Sequence, residues 1–369
     1  MTPAPARRRL DPAIFNLPVQ KMRAGYYSDA YFNRVKEILE RDGRNPRVLM
    51  QVFNKKDAVL CGIDEAIAIL KLCSGRSVAG GPWQEGWSAL DVRALYDGDR
   101  VGPYETVMTI EGDYSLFTHL ETDYLGVLAR RTRVATNTSA VVAAASGKNV
   151  LFFPARFDHH LVQTGDGYAA YISGALGVST DAQAEWWGSR GFGTVPHGLI
   201  AAYGGDTVLA VKKFAQYAES SVNVIALVDF DNDCVNTAKA CAAALGPRLW
   251  GVRLDTSATL VDKSLFDQMG TFDPTGVNAQ LVLNVRRGLD DAGFDRVKII
   301  VSGGFNVEKI RAFESASIPV DAYAVGSVLF EGKFDFTADI ALAEKDGTMV
   351  SCHKAGRPYR PNARLEKVI

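Results

Sequence analysis

The sequence lacks the features that mark metal-binding, disulfide-bonded and membrane-spanning proteins. Its five cysteines are scattered without a C-x-x-C pair, so the sequence predicts no disulfide framework and no metal site made by protein ligands alone. No apolar run approaches the roughly 20 residues that a membrane span needs. Residues 1–10, "MTPAPARRRL", lack the apolar core of a secretory signal. We therefore expect a cytoplasmic protein without a membrane partner.

The chain also lacks an excess of charge of either sign. Lys and Arg together number 41, and Asp and Glu together number 42. Because nucleic-acid binding relies on a positive field, this balance argues against a nucleic-acid partner and favours small-molecule substrates. The P-loop motif G-x-x-x-x-G-K-[ST] is absent, and Pro196 stands where G-x-G-x-x-G would need its third glycine. If the protein uses ATP, it does not use a P-loop.

The 369 residues, 47% of them apolar, are enough for two structural units. The first half, from about 45 to 120, has antiparallel strand patterns around one helix and predicts a small α+β unit. The second half alternates β-branched runs with helical patterns, which predicts a parallel α/β sheet, open or closed into a barrel. The predicted parallel strands are 222–230, 248–255, 296–305 and 320–330.

Each of these parallel strands ends in a polar or glycine-bearing corner. Corners at the carboxyl ends of parallel strands build the sites of barrels and open α/β sheets. Two successive corners, "VSGG" and "VGS", offer backbone amides to an anion, and glycine lets a phosphate approach those amides closely. Ordinary strand-to-helix turns are the alternative interpretation. The phosphate-binding residues predicted here are Ser302, Gly303, Gly304, Gly326 and Ser327.

The segment "GVRLDTS" places Arg253 and Asp255 on one face of a strand, with Ser257 beyond them. Asp229 ends the preceding strand. An arginine can hold a phosphate through two parallel hydrogen bonds, and a carboxylate can hold a ribose hydroxyl or a Mg²⁺-bound water. A structural ion pair between Arg253 and Asp255 is the alternative.

Two further segments carry residues suited to chemistry. "GFGTVPHG" holds His197, one of only five histidines, on a turn rich in glycine; a surface bend is the alternative. "FFPARFDHH" contains Phe153 and Arg156, which together suit a flat ring that bears a carboxylate, through stacking and a forked hydrogen bond. An exposed basic and aromatic turn would explain the second segment equally well.

Taken in order, the motifs of this chain resemble those of the nicotinate phosphoribosyltransferase family, in its compact archaeal and bacterial form. The motifs are "SDAYF", "LET", "FPAR", "GTVPHG" followed by "GGD", "LVD", "RLDTS", "VSGG" and "VGS". The resemblance implies an α/β fold in which an irregular, incomplete (β/α) barrel is joined to an N-terminal α/β open-faced sandwich. We accordingly expect a tail at 1–24, the sandwich at 25–125 with 340–369 wrapping back onto it, and the barrel at 126–339.

The resemblance also implies a reaction. Nicotinate and 5-phosphoribosyl-1-pyrophosphate would give nicotinate mononucleotide and pyrophosphate in NAD biosynthesis and salvage, with Mg²⁺ as cofactor and ATP as co-substrate. The family's GT-x-x-H histidine is phosphorylated by ATP, so His197 would be catalytic and Thr194 of the same turn would contact substrate. A neutral imidazole nitrogen is a nucleophile without an activating base. From its spacing, Asp206 is expected to orient the ring as a further catalytic residue.

The remaining roles follow from the same resemblance. Phe153 would stack on one face of the pyridine ring. Tyr31, with Asp29, would reach the other face from a neighbouring subunit, which implies a homodimer or larger assembly with shared sites. Arg156 would lie near the base and the donor. The residues expected near the ribose and pyrophosphate are Asp229, Arg253 and the catalytic Asp255, and Ser257 is expected to join the phosphate-binding corners.

Two other functions remain open from the sequence. A sister transferase of the same fold would act on another pyridine base, such as quinolinate or nicotinamide, and the segment "ARFDHH" would decide the base. A non-catalytic sensor would bind a phosphoribosyl compound or a nucleotide without turning it over. A panel of pyridines separates the transferases from one another, and tight donor binding without turnover would identify the sensor.

Overall fold

The computed structural model describes residues 8–77 and 81–369. The chain divides into two compact units, the first made of Met1–Thr136 with Gly332–Ile369 and the second of Asn137–Glu331. Within the described ranges, none of the helices is both long enough and apolar enough to cross a membrane.

Strands and helices alternate irregularly in the first unit and regularly in the second. The strands are β1 (Arg47–Asn54), β2 (Ala58–Val59), β3 (Gly75–Ser77), β4 (Trp83–Glu85), β5 (Asp91–Ala94), β6 (Arg100–Val101), β7 (Thr106–Asp113), β8 (Asn149–Phe152), β9 (Gly177–Val178), β10 (Val224–Leu227), β11 (Leu249–Leu254), β12 (Lys298–Val301), β13 (Ala322–Val325), β14 (Phe336–Lys345), β15 (Thr348–Ser351) and β16 (Glu366–Lys367). The α-helices are α1 (Val19–Arg23), α2 (Ala30–Arg41), α3 (Ile63–Cys73), α4 (Glu121–Ala144), α5 (Gln163–Ile172), α6 (Asp181–Ala184), α7 (His197–Ala202), α8 (Thr207–Tyr217), α9 (Cys234–Leu245), α10 (Ala279–Asp291) and α11 (Val307–Ser315).

The first unit is built on a six-stranded antiparallel sheet in the order β15-β14-β1-β7-β5-β16. Its centre is the pairing of β1 with β7, in which Met50 lies opposite Ile110 and Val52 opposite Met108. All four side chains are buried, in one core with most of the apolar residues of α3. Burial of each such side chain stabilises the fold by about 1.5–3 kcal/mol. The predicted antiparallel layer around a helix is thus confirmed.

The second unit is a curled sheet of parallel strands in the order β10-β11-β12-β13-β8-β9. The strands β10 and β13 are buried along their whole length, as expected for a sheet covered on both faces. Because β10 and β9 remain the two edges, the sheet forms an incomplete barrel, and the predicted fold class is confirmed.

The helices between the parallel strands begin at polar caps. Asp206, Asn278 and Asn306 precede α8, α10 and α11, and the side chain of each accepts a hydrogen bond from a backbone N–H in the first turn. Such caps satisfy one of the orphan donors of a helix N-terminus. They fix where each helix begins, and therefore the length of the preceding loop at the carboxyl end of the sheet.

Residues 8–24, expected to be part of a tail, are held to the first unit. The Arg9 guanidinium lies 2.8 Å from a carboxylate oxygen of Asp64, and the Leu10 N–H donates to the other oxygen at 2.8 Å. Met22 of α1 is buried. These contacts correct the expectation of a tail for the described part of the segment, while residues 1–7 lie outside the described residues. At the other end, the segment 340–369 supplies β15, β16 and the second half of β14 to the sheet, while β14 begins at Phe336, within the range predicted for the barrel.

Candidate functional site

The predicted turn histidine meets a carboxylate at the carboxyl ends of the parallel strands. His197 is the first residue of α7, and its Nε2 lies 3.1 Å from each carboxylate oxygen of Asp229, just beyond β10. The His197 side chain is 45% exposed, whereas that of Asp229 is 6% exposed. Because an ionised carboxylate can only accept a hydrogen bond, Nε2 carries the proton and Nδ1 keeps its lone pair. The ring is therefore held on the Nε2 side, and Nδ1 is left with its lone pair.

Local backbone contacts place this histidine. The Val195 N–H donates to the Ile225 carbonyl at 3.2 Å, which joins the glycine-rich turn to β10. Pro196, in an extended conformation, precedes the first turn of α7. The ring of Phe230 lies beside the imidazole, with centroids 6.4 Å apart. The turn is consequently fixed to the sheet at Val195, and α7 begins two residues later at His197.

The structure corrects the role expected of Asp206. This carboxylate caps α8, with its Oδ1 accepting a hydrogen bond from the Leu209 N–H at 2.9 Å. The partner of His197 is Asp229, which the sequence predicted only as a substrate-binding residue. Spacing along the chain misled here, because an aspartate that follows "GG" is equally suited to begin a helix. The ring is oriented by a residue of the next strand end instead.

Burial perturbs the charged groups around this pair. It raises the pKa of Asp229, an effect that the neighbouring His197 partly offsets. Burial also lowers the pKa of the Arg253 guanidinium. The nearby carboxylates of Asp255 and Asp229 partly offset that lowering. Arg156 also contributes to lowering that pKa, so the two predicted arginines lie within electrostatic reach of each other. The carboxylates and arginines predicted from separate motifs thus come together at one end of the sheet.

Arg253 has capacity left for a ligand. One of its guanidinium nitrogens lies 3.8 Å from a carboxylate oxygen of Asp255, which is a long ion pair. Its Nε is buried and has no hydrogen-bond partner within the protein. A buried donor without an acceptor costs about 1–3 kcal/mol. An oxygen of a bound ligand would satisfy it, so the ion pair with Asp255 leaves room for a binding role.

The first phosphate corner is tied to Asp255. The Ser302 hydroxyl donates to the Asp255 carboxylate at 2.7 Å, and Ser302 is buried. Gly303 and Gly304, which follow, are exposed and have φ values of 81° and 73°. Residues other than glycine rarely adopt this conformation. Ser302 therefore orients Asp255, and the two glycines remain as the accessible amides of the corner.

The second phosphate corner lies against the "FPAR" segment. A Cβ atom on Gly326 would come within 2.9 Å of the Phe157 ring, so glycine allows this close approach. Ser327 begins a 3-10 helix and is exposed. Ser257, which was predicted to join these corners, is exposed, with its hydroxyl 3.2 Å from that of Thr259.

The aromatic residue expected to stack on the base has an aromatic neighbour. The rings of Phe153 and Phe192 have centroids 6.3 Å apart at an angle of 35°. Phe192 was not predicted as a site residue, although it lies two residues before Thr194 in "GFGT". Thr194 is half-buried in the same turn. Arg156 is exposed, with its guanidinium over the Phe157 ring at 5.4 Å.

Asp29 and Tyr31 belong to the first unit, where a second group of residues surrounds them. The Asp29 N–H donates to the Thr122 hydroxyl at 3.0 Å, and that hydroxyl lies 3.1 Å from an Asp29 carboxylate oxygen. Burial, with Asp339 and Asp29 nearby, raises the pKa of Glu121 to about 8. Most of the Tyr31 side chain is exposed. Its pKa is raised by partial desolvation and by the negative charges of Asp29 and Glu121. Sequence reasoning missed Glu121 and Thr122, although the motif "LET" contains both.

No group of three or more His, Cys, Asp or Glu side chains could hold a metal ion among residues 8–77 and 81–369. In the barrel unit, the Asp255 carboxylate lies close enough to Asp229 to raise the pKa of that residue. Mg²⁺ is commonly held by one or two carboxylates together with substrate phosphates and waters. The donor set fits an ion that arrives with a phosphorylated substrate.

Comparison with known proteins places these features in a family. The family model for the N-terminal domain of quinolinate phosphoribosyl transferase matches residues 29–132. A nicotinate phosphoribosyltransferase of Mycobacterium tuberculosis is 29% identical over 75% of this chain and 58% of its own length. The chain therefore matches little more than half the length of that relative.

Two solved structures share the fold. The nicotinate-nucleotide pyrophosphorylase of Pyrococcus furiosus is 33% identical, with a TM-score of 0.77 over 95% of this chain and 85% of that one. Human nicotinic acid phosphoribosyltransferase is 14% identical, with a TM-score of 0.62 over 86% of this chain and 75% of that one. The second likeness concerns the fold alone.

Proposed function

This chain belongs to the nicotinate phosphoribosyltransferase family, and on that premise we propose that it makes nicotinate mononucleotide and pyrophosphate from nicotinate and 5-phosphoribosyl-1-pyrophosphate. The proposed role is in NAD biosynthesis and salvage. The observation that carries the proposal is the His197–Asp229 pair, with Arg253 and Asp255 electrostatically close to that aspartate, at the carboxyl ends of parallel strands. A phosphorylated donor needs cations and amides, and the acceptor base needs aromatic faces; this end of the sheet offers both.

The proposed transfer forms a bond between the pyridine nitrogen and C1 of the ribose as the bond from C1 to pyrophosphate breaks. Pyrophosphate leaves with the electron pair of that bond. Such a step needs a stabilised leaving group and an oriented nucleophile more than acid or base catalysis. The free Nε of Arg253 suits a pyrophosphate oxygen, and Arg156 suits the nicotinate carboxylate.

Mg²⁺, when bound, would neutralise the charge that develops on the leaving pyrophosphate. Asp255 and Asp229 are the residues that would hold it, since these carboxylates lie within electrostatic reach of each other. The Ser302 hydroxyl keeps Asp255 oriented for this role through its 2.7 Å hydrogen bond. We therefore propose that the ion binds with the donor rather than to the protein alone.

ATP is the proposed co-substrate at His197. Nδ1 attacks the γ-phosphorus of ATP, the new N–P bond forms, and ADP leaves with the electrons of the broken P–O bond. The ring becomes positively charged in this step, and Asp229 stabilises it through the proton on Nε2. Water later hydrolyses the phosphohistidine. The raised pKa of Asp229 makes that carboxylate a stronger acceptor for the shared proton.

A direct assay tests the transfer. The protein is incubated with nicotinate, the phosphoribosyl donor and Mg²⁺, with and without ATP, and nicotinate mononucleotide is measured by mass. We expect product in both reactions and faster formation with ATP. Absence of product under both conditions contradicts the proposal, and tight donor binding in that case would identify a sensor instead.

Quinolinate is the second candidate base, because the family model that matches residues 29–132 is that of quinolinate phosphoribosyl transferase. Quinolinate carries two carboxylates and would need two cations near the ring. Arg156 and Arg253 are close enough to influence each other's charge and could supply them. Consumption of quinolinate in the same assay, with nicotinate untouched, would favour this alternative.

A further inference from the structure

Two cavities lie at the amino ends of the parallel strands, opposite the candidate active site. The larger has a volume of about 500 Å³ and lies at the starts of β12, β13 and β8. The smaller has a volume of about 200 Å³ and lies at the starts of β10, β11 and β12. We call the smaller one the amino-end pocket. Its lining residues are Asn223, Pro247, Arg248, Leu249, Trp250, Arg296 and Lys298.

In the larger cavity, lysine side chains of the lining form ion pairs with carboxylates of the same lining. The Lys148 ammonium lies 2.9 Å from a Glu314 carboxylate oxygen, and the Lys298 ammonium lies 3.1 Å from a carboxylate oxygen of Asp321. All four residues line that cavity. Because its cations already face carboxylates, this cavity presents no excess charge to a ligand.

The amino-end pocket has a different charge balance. Arg248, Arg296 and Lys298 line it, and the described residues that line it include no Asp or Glu. Lys298 has Asp321 as a partner, on its side toward the larger cavity. Two guanidinium charges therefore remain without a carboxylate partner in the pocket.

Main-chain carbonyl groups hold both guanidinium groups in place. Arg296 donates to the carbonyl oxygens of Gly246 at 2.6 Å and Leu249 at 3.3 Å. Arg248 donates to the carbonyl of Val222 at 3.1 Å, with weaker contacts to the carbonyls of Glu219 at 3.4 Å and Ser220 at 3.5 Å. These bonds restrict the side chains but leave their formal charges uncompensated. An arginine held in this way loses little further entropy when it binds a phosphate.

We propose that the amino-end pocket is a second phosphate-binding site, for a small ligand that carries a phosphate or diphosphate group. Two preorganised guanidinium groups, with no carboxylate among the described residues that line the pocket, favour such a group over a neutral or cationic ligand. The pocket is distinct from the candidate active site, because it lies where the strands begin and the active site lies where they end. The proposal is independent of the transferase reaction.

Trp250 gives the pocket an apolar wall and a connection to the interior of the barrel. Its half-buried ring packs against a cluster that contains Ile225 and Ile300, and Phe153 and Phe192 pack against the same cluster. The ligand would thus bind beside a side chain whose packing continues to the aromatic residues of the candidate base site. This continuity suits an effector site.

Calorimetric titration with inorganic pyrophosphate tests the proposal, using the full chain at low and at physiological ionic strength. The informative variant is Asn223→Asp, which adds a carboxylate to the pocket at a residue whose side chain makes none of the bonds that hold Arg248 or Arg296. We expect the dissociation constant of one pyrophosphate site to rise about tenfold, as repulsion from an added unit charge would cause. Asn223→Ser should keep the affinity of the original protein.

Two controls separate this site from other binding. Asn45→Asp makes the same chemical change on an exposed residue of the first unit and should leave the pyrophosphate affinity unchanged. Arg253→Gln should weaken binding at the candidate active site alone, so a failure of the transferase proposal would not affect the amino-end pocket. A pyrophosphate isotherm that is the same for the wild type and for Asn223→Asp overturns the proposal.

Discussion

Two of the histidines show how differently this protein treats the same side chain. His119, in the first unit, is fully buried beside Trp83, and neither of its ring nitrogens makes a well-formed hydrogen bond. Burial lowers the pKa of His119 to about 3. His197, in the second unit, is half-exposed, and its Nε2 contacts the carboxylate of Asp229. The two side chains therefore differ in what a reaction with a substrate requires, because His197 has a carboxylate partner and an exposed ring and His119 has neither.

The largest expected effect comes from His197→Asn. This substitution removes the proposed phosphoryl acceptor, so stimulation of the transfer by ATP should disappear while some basal transfer remains. The readout is the rate of nicotinate mononucleotide formation with and without ATP. His353→Asn, on a histidine of the first unit outside every predicted site segment, is the matched control and should keep the stimulation. Unchanged stimulation in His197→Asn would remove the phosphohistidine from the mechanism.

A smaller effect is expected when the partner carboxylate is neutralised. Asp229→Asn keeps the shape but removes the charge that stabilises the phosphorylated ring, so ATP stimulation should fall roughly tenfold to a hundredfold. The control is Asp206→Asn, because asparagine caps a helix as well as aspartate does. Stimulation in that control should stay within about twofold of the original. The reverse pattern would restore Asp206 as the orienting residue.

Mixing two variants that each lack ATP stimulation sharpens the comparison between the units. If Tyr31 serves the site of a neighbouring subunit, co-refolded or exchanged Tyr31→Ala and His197→Asn chains should regain part of the ATP stimulation that each lacks. The gain is partial because only some of the sites combine an intact Tyr31 with an intact His197. Proven exchange of subunits without any gain would place Tyr31 and His197 in the site of a single chain.

The last prediction concerns stability at acid pH rather than the transfer reaction. Because His119 has its pKa lowered from 6.5 to about 3, the unfolded chain binds the proton more readily, and the free energy of unfolding should fall as the pH drops from about 6.5 toward 3. The slope is about 1.4 kcal/mol per pH unit. Glu121, with its pKa raised to about 8, has the opposite sign, because its stabilisation is lost as the pH rises.

Denaturant unfolding of wild type and His119→Phe at several pH values isolates the histidine, since the contribution of Glu121 is common to both. The variant should lose less stability than the wild type between pH 6.5 and 4.5. His119→Leu serves as a second variant where phenylalanine packs poorly against Trp83. Parallel pH profiles for all three proteins would show that the buried imidazole does not control acid stability.

The sequence alone predicts the parts of the site that depend on strand ends. Alternation of β-branched runs with helical patterns located Asp229, Asp255 and the glycines at 303 and 304 at the same end of one sheet, because parallel strands all end there. It could not assign the partner of His197, since Asp206 and Asp229 both follow plausible patterns. Only the folded chain shows that one of them caps a helix.

The first unit was less predictable for a physical reason. The raised pKa of Glu121 depends on Asp339, which β14 brings back from the far end of the chain, and on Asp29. Local sequence patterns carry no information about such contacts. The motif "LET" indicated that the segment mattered, but its chemistry comes from burial and from neighbours distant in sequence.

The proposed base preference is tested most directly in a single competition. Equimolar nicotinate, quinolinate and nicotinamide are incubated with the protein, Mg²⁺ and the phosphoribosyl donor, with and without ATP, and the consumption of each base is followed by mass. We predict that nicotinate is consumed first, and faster when ATP is present. Preferential consumption of another base, or no consumption of any, would contradict the assignment.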